Sequence, residues 1–295
     1  MNENAVVFCV IRTHLQLTAV AITSIIESYQ SEKTLKILVV CADIQQEDIE
    51  YIKTMPQKLG KAQISIDFWS KPRELDQISP KFKVNNRASS TPISIWRLFI
   101  PNYFQTYKKL LFLDNDVIVK TDVNNLFDQL DKHHMIAAVQ DFYYGASKDY
   151  YDEQYTAESS YGMHSMRRYF DSGVMVIDVQ QYNKNILVKK LLEIINTTQG
   201  RIDDQAIINV LSEGRVKFLP WRYNYQHDLN YLSNPQYHWA PELVKPIIDD
   251  HPNILVRQFT PSGRLALPYN HVQVTDEWDL EFWRLLEKSK RTSLT

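Results

Sequence analysis

The chain has 295 residues, 44% hydrophobic and 23% charged, with a formal net charge of −2. That length buries a full core, in one large domain or two small ones, and a near-neutral charge argues against general nucleic-acid binding. Seven glycines stand where an average chain of this length holds about twenty. There is no Gly-x-Gly-x-x-Gly or Walker-type loop, so side chains and a metal must hold any bound nucleotide.

Residues 5–11 (Ala-Val-Val-Phe-Cys-Val-Ile) read as a fully buried strand. Residues 14–29 follow as a helix, with Leu15, Ala19, Ile22, Ile25, Ile26 and Tyr29 at helical spacing. A second buried strand is expected at 35–41, a polar helix at 46–58 ending near Pro56, and an alternating strand at 63–69. Continuous apolar strands alternating with helices predict an α/β fold, with a parallel sheet covered on both faces. The N-terminus lacks the basic start and apolar segment of a signal peptide, and no apolar stretch reaches the roughly eighteen residues of a membrane span. A cytoplasmic protein is the expectation. Cys9 and Cys41, inside two of the predicted strands, read most simply as small apolar residues in a reducing compartment.

A helix over 92–105 carries Arg97 as a single charge in an apolar stretch, so a partner is expected, either Asp114 or a ligand phosphate. Arg97 beside Asp114 would hold that carboxylate ionised. The strand 109–113 then delivers Asp114-Asn115-Asp116, and a second apolar run, 117–119, leaves it. Residues i and i+2 of a strand project to one face, so two hard anionic ligands meet where a buried strand surfaces. That suits magnesium or manganese; an Asp-Asn-Asp turn without metal fits the same residues. In open α/β sheets, ligands bind beyond the carboxyl ends of the strands, which is where the pair lies.

After a strand near 135–140, residues 141–165 hold Tyr143, Tyr144, Tyr150, Tyr151, Tyr155 and Tyr161 with no clear period. Tyrosine faces suit sugar rings, and an Ω-loop packed down by its own tyrosines fits equally. Regular structure resumes as a strand at 169–178, helices near 180–198 and 203–213, a strand near 216–219, and a last helix around 276–289. Asp204 shares a helix face with Ile207, Ile208 and Leu211, so it should point inward, while Asp203 is placed to cap the helix. A buried carboxylate needs a partner or a purpose. The C-terminal run Trp-Arg-Leu-Leu-Glu-Lys-Ser-Lys-Arg combines aromatic and basic residues, which suits either an anionic membrane surface or a docked helix with a solvated end.

Five segments in this order resemble glycosyltransferase family 8, the retaining nucleotide-sugar transferases. They are Arg97-Leu98; Leu113-Asp114-Asn115-Asp116; Tyr169-Phe170-Asp171-Ser172-Gly173-Val174; Asp203-Asp204-Gln205 with Ile208-Asn209; and Leu219-Pro220-Trp221-Arg222-Tyr223-Asn224. The resemblance implies a GT-A-like, Rossmann-type, mostly parallel sheet flanked by helices, with irregular C-terminal embellishments. It also implies a single domain over 1–295: a nucleotide-sugar half (1–120), an acceptor half (121–275), and a C-terminal helix and tail (276–295). Three positions depart from the family pattern. Ile11-Arg12-Thr13-His14 stands at the base-binding place. Gln258 and Arg264 stand where the family carries a metal-binding histidine and a phosphate-binding lysine. Asp171 replaces an asparagine.

Carried onto this chain, the resemblance makes Asp114, Asp116 and Gln258 the ligands of Mn2+ or Mg2+. Arg97, Asp114, Asn115, Asp116, Ser172 and Arg264 become donor-binding residues, and Asp204, Gln205 and Asp171 catalytic ones. The expected reaction is hexose transfer from a UDP-sugar to a carbohydrate or glycoconjugate acceptor. A non-catalytic sugar-binding or partner subunit, and a sugar nucleotidyltransferase, are the alternatives; the missing glycine-rich loop counts against the last.

Overall fold

A computed structural model describes residues 3–79, 93–147, 162–198, 203–234, 239–260, 267–270, 274 and 276–291. Among these residues there are nine strands: β1 (Ala5–Ile11), β2 (Leu35–Ala42), β3 (Ile64–Ser70), β4 (Lys109–Leu113), β5 (Val117–Val119), β6 (Ile136–Gln140), β7 (Phe170–Asp178), β8 (Val216–Leu219) and β9 (Val256–Gln258). Seven of them form one sheet in the order β3-β2-β1-β4-β7-β6-β8, and β5 pairs with β9 separately. Within the large sheet β7 alone runs against its neighbours. The fold is thus the expected α/β architecture with a mostly parallel sheet.

Alternation along β1 shows why these strands read as unbroken apolar runs. Ala5, Val7 and Cys9 enter one core, with Phe112, Met175 and Leu98. Val6, Phe8 and Val10 enter the other, with Ile22, Ile25 and Leu113. Both faces are covered, so neither set of side chains can be polar. Helix Leu15–Ser28 and helix Gln46–Lys58 supply residues to the second core, among them Ile26, Ile52 and Met55. Cys9 and Cys41 are both free thiols on adjacent strands.

Two expected helices prove to be broken. The stretch predicted over 92–105, described from Ile93, forms Ile93–Trp96 and Ile100–Tyr103 with a turn between. Pro101 favours the break: it has no N–H to donate, and its ring crowds the carbonyl four residues earlier, that of Arg97. The stretch 180–198 forms Val179–Asn185 and Val188–Thr198. The C-terminal part holds more regular structure than the sequence suggests, including helix Pro241–Asp250 and β9. β9 reads Val-Arg-Gln, too short and too polar to show a period. Helix Glu277–Arg291 closes the chain's described part against helix Leu15–Ser28.

Candidate active site

The strand directions assemble the site. β4 ends at Leu113, and Asp114 follows directly; β6 ends at Gln140, and Asp141 follows. Because β7 is antiparallel between them, its first residues, Asp171 to Gly173, lie at that same edge. The Asp114 N–H donates to Gly173 O at 2.8 Å, and the Asp141 N–H to Tyr169 O at 3.1 Å. Across the β5–β9 ladder, Val117 faces Gln258 and the Phe259 N–H donates to Asp116 O at 2.9 Å. Gln258 therefore arrives beside the Asp pair from far along the chain.

A cavity of about 470 Å³ opens here, lined by Asp114, Asn115, Asp116, Asp171, Ser172, Asp204, Gln205 and Gln258, and by Arg97 and His14. Of the residues expected to form the site, Arg264 lies outside the described residues, as do Tyr150, Tyr151, Tyr155 and Tyr161 of the tyrosine-rich segment. Tyr143 and Tyr144 are described but do not line this cavity, whereas the other expected metal, donor-binding and catalytic residues all do.

Arg97 organises its floor. One terminal nitrogen reaches Asp114 Oδ1 at 2.8 Å, the other donates to Ser172 O and Oγ at 2.9 Å each, and Nε lies 2.9 Å from Asp204 Oδ2. The guanidinium also sits 4.8 Å from the centre of the Phe112 ring. The helix break before Pro101 falls at Arg97, and Asp204 heads its helix as the inward stripe predicts, while Asp203 caps it through the Ala206 N–H at 2.8 Å. Burial outweighs the pull of Arg97, and the Asp114 carboxyl titrates above its ordinary value. Asp116 is raised further, by burial and then by Asp114 and Asp171.

Asp171 is pushed up to about 7, first by burial and then by Asp141 and Asp114. Its Oδ1 accepts from the Gly173 N–H and from Asn224 Nδ2, both at 2.8 Å. Asn115 braces the loop: Nδ2 donates to Cys9 O at 2.9 Å, and Oδ1 accepts from Thr18 Oγ at 2.7 Å. At the departing base-binding segment, His14 lines this cavity. Arg12 instead lines another, of about 550 Å³, with Glu47, Asp48 and Tyr51.

The donor set fits a hard divalent cation. Two buried acceptor oxygens at this spot, Asp116 Oδ1 and Gln258 Oε1, have no hydrogen-bond partner. Among the described residues, five aspartates (Asp114, Asp116, Asp171, Asp203, Asp204) and one arginine line the cavity. All three candidate ligands offer oxygen, the preference of magnesium and manganese. Among the described residues no group of three or more His, Cys, Asp or Glu side chains is placed to hold a metal, and the third expected ligand here is an amide. That amide has its place only because residue 173 is glycine: a Cβ there would lie 2.3 Å from Gln258 Nε2.

Two site residues have no signal in the sequence. Asp141 accepts from Gln205 Nε2 at 3.0 Å, a contact between residues 64 positions apart that no local pattern reveals. Thr260 lines the cavity with its hydroxyl unpartnered, just after a strand too short to recognise.

Comparison with known proteins places this geometry. The chain is 30% identical over 213 residues to a lipopolysaccharide 1,2-glucosyltransferase of Escherichia coli, covering 70% of this chain and 58% of that protein. It is 24% identical over 200 residues to glycosyltransferase GlyE of Streptococcus pneumoniae, covering 67% of this chain and 42% of that protein. The chain thus spans about two fifths to three fifths of these two relatives. The galactosyltransferase LgtC, crystallised with donor and acceptor sugar analogues, superposes with a TM-score of 0.70 at 20% identity, over 97% of this chain and 96% of that one. The bifunctional glycosyltransferase WbbM superposes with a TM-score of 0.76 at 19% identity, over 99% of this chain and 52% of that one. Residues 5–245, which include every described site residue except Gln258 and Thr260, match the model of glycosyl transferase family 8, and the chain is a member of that family.

Proposed function

We propose that the protein transfers a hexose from a UDP-sugar to a carbohydrate or glycoconjugate acceptor, with retention at the anomeric carbon and dependence on Mn2+ or Mg2+. One observation carries this reading: two orphaned acceptor oxygens and an excess of carboxylates converge on one cavity beyond the carboxyl ends of β1 and β4. Asp114, Asp116 and Gln258 would hold the cation, which when bound neutralises the diphosphate as leaving-group charge develops. The chain's own residues supply the rest. Arg97 keeps Asp114 and Asp204 in place and balances part of their charge. Asp204 offers negative charge to an oxocarbenium-like centre, and Asp171 does so once ionised, above about pH 7. The Thr260 hydroxyl is free to meet a polar group of the ligand. Family membership and the donor-bound and acceptor-bound LgtC structure support a donor and an acceptor subsite.

A second reading has its own observation. Gln258 Nε2 lies 3.2 Å from Asp114 Oδ2, a bond that partly satisfies the carboxylate without metal, as a sugar-binding relative without activity would allow. One experiment separates the two. The protein is incubated with manganese and a panel of UDP-linked and other nucleotide sugars, and nucleoside diphosphate release is followed. Release from one donor, lost with EDTA and in the Asp114→Ala, Asp116→Ala double variant, is the expected result. Donor binding without release favours the inactive relative, and pyrophosphate chemistry would point to a nucleotidyltransferase.

A further inference from the structure

We infer that Asp141 is a positioning residue: its carboxylate fixes the Gln205 side-chain amide in one orientation, so that Gln205 meets a ligand as a hydrogen-bond donor. The inference rests on the sugar-transfer reading of the cavity.

The amide is bound at both ends. Gln205 Oε1 accepts from the Ser172 N–H at 2.9 Å and from Ser172 Oγ at 3.2 Å. Gln205 Nε2 donates to Asp141 Oδ2 at 3.0 Å. A backbone N–H can only donate and a carboxylate can only accept. Turning the amide over would set N–H against N–H at Ser172 and oxygen against oxygen at Asp141, two repulsions in place of two bonds. The carboxylate cannot swing aside to relieve this. Asp141 Oδ1 accepts from the Tyr143 and Tyr144 N–H groups at 2.9 and 3.3 Å, which starts helix Phe142–Ala146.

The consequence is chemical. The carbonyl oxygen of Gln205 is already used, so it is not a nucleophile or a base in the reaction. One N–H of Nε2 goes to Asp141, and the other has no protein acceptor among the described residues, while Gln205 lines the cavity. That N–H is available to a sugar hydroxyl or to the departing oxygen. Ser172 also accepts from Arg97, so the same network joins the amide to Asp114.

The test is a pair of complementary substitutions read in two ways. Asp141→Asn keeps an oxygen for the helix start but turns an NH2 towards the NH2 of Gln205. Gln205→Glu sets a carboxylate against the carboxylate of Asp141. Each single variant is expected to melt several degrees below the native protein. Combined, the new amide at 141 donates to the new carboxylate at 205, and the double variant regains most of the loss. Losses that simply add would overturn the inference. The kinetic arm follows donor turnover. Asp141→Asn is expected to lower kcat about tenfold or more with donor KM nearly unchanged, and the double variant stays slow because the free N–H is gone. Native kcat in Asp141→Asn would overturn the positioning role. If the native protein turns over no donor, the transfer reading fails on its own, and the melting cycle still decides whether Asp141 fixes the amide.

Discussion

Arg97 is a buried cation held by two carboxylates and the backbone and hydroxyl oxygens of Ser172. Removing it strands Asp114 and Asp204 together in a poorly solvated floor. Arg97→Met should therefore cost about 3–5 kcal/mol in urea unfolding. Arg97→Lys should recover little of that, since one ammonium cannot reproduce a planar fork reaching partners on three segments. Asp171 carries a second prediction, with the opposite sign. Its folded-state pKa of about 7 lies above the ordinary value of 3.8, so the folded protein prefers the protonated carboxyl. Stability then falls as pH rises from about 4 to about 7, where ionisation costs about 2–4 kcal/mol. Asp171→Asn keeps the acceptor oxygen for Gly173 and Asn224 and removes that cost. With EDTA present, it should raise unfolding free energy at pH 8 and change it little at pH 4; equal effects at both would refute the assignment. The inward aim of Asp204 was legible from helical spacing alone. Asp141 was not, because its partner Gln205 is brought to it by a helix 64 positions along the chain that docks on β7.

At the level of elements, the place of Gln258 beside Asp114 depends on a glycine in a strand. Gly173 leaves the space into which the Gln258 amide fits, so the two positions are coupled across separate sheets. Gly173→Ala should push that amide off Asp114 at small cost to the fold, since the added methyl meets only the far end of a flexible side chain. Titration with Mg2+ in the presence of UDP should show weakened cation binding as well; native affinity in this variant would exclude Gln258 as a ligand. Helix breaks tell a related story. The apolar run around Arg97 has helical spacing, yet it breaks four residues before Pro101, whose ring crowds that turn of a helix, and the break carries the arginine. Period alone located the segment, and the steric rule for proline favours its division.

Across the whole molecule, the described end of the chain is anchored mainly by apolar packing. Phe282, Leu285 and Leu286 of helix Glu277–Arg291 are buried with Leu17 and Val20 of helix Leu15–Ser28. Arg284 and Lys288 both meet Glu27 on that same helix, so these two basic groups face the protein. Leu285→Ala should cost about 2–5 kcal/mol, and Arg284→Ala less than about 1 kcal/mol because the pair is partly solvated; denaturation curves of the two variants check the contrast. No described helix is long and apolar enough to cross a membrane.

The sequence by itself determined the strands β1 to β4, the helices between β1, β2 and β3, and the placement of Asp114 and Asp116 at a strand end, because burial on both faces writes itself into local composition. Only the tertiary structure decided that β7 runs against its neighbours, that Gln258 crosses from β9 to the Asp pair, and that Asp141 meets Gln205. Strand pairing runs through backbone hydrogen bonds, which any side chain permits, and the side-chain bonds it sets up join residues far apart in the chain, so neither leaves a periodic trace.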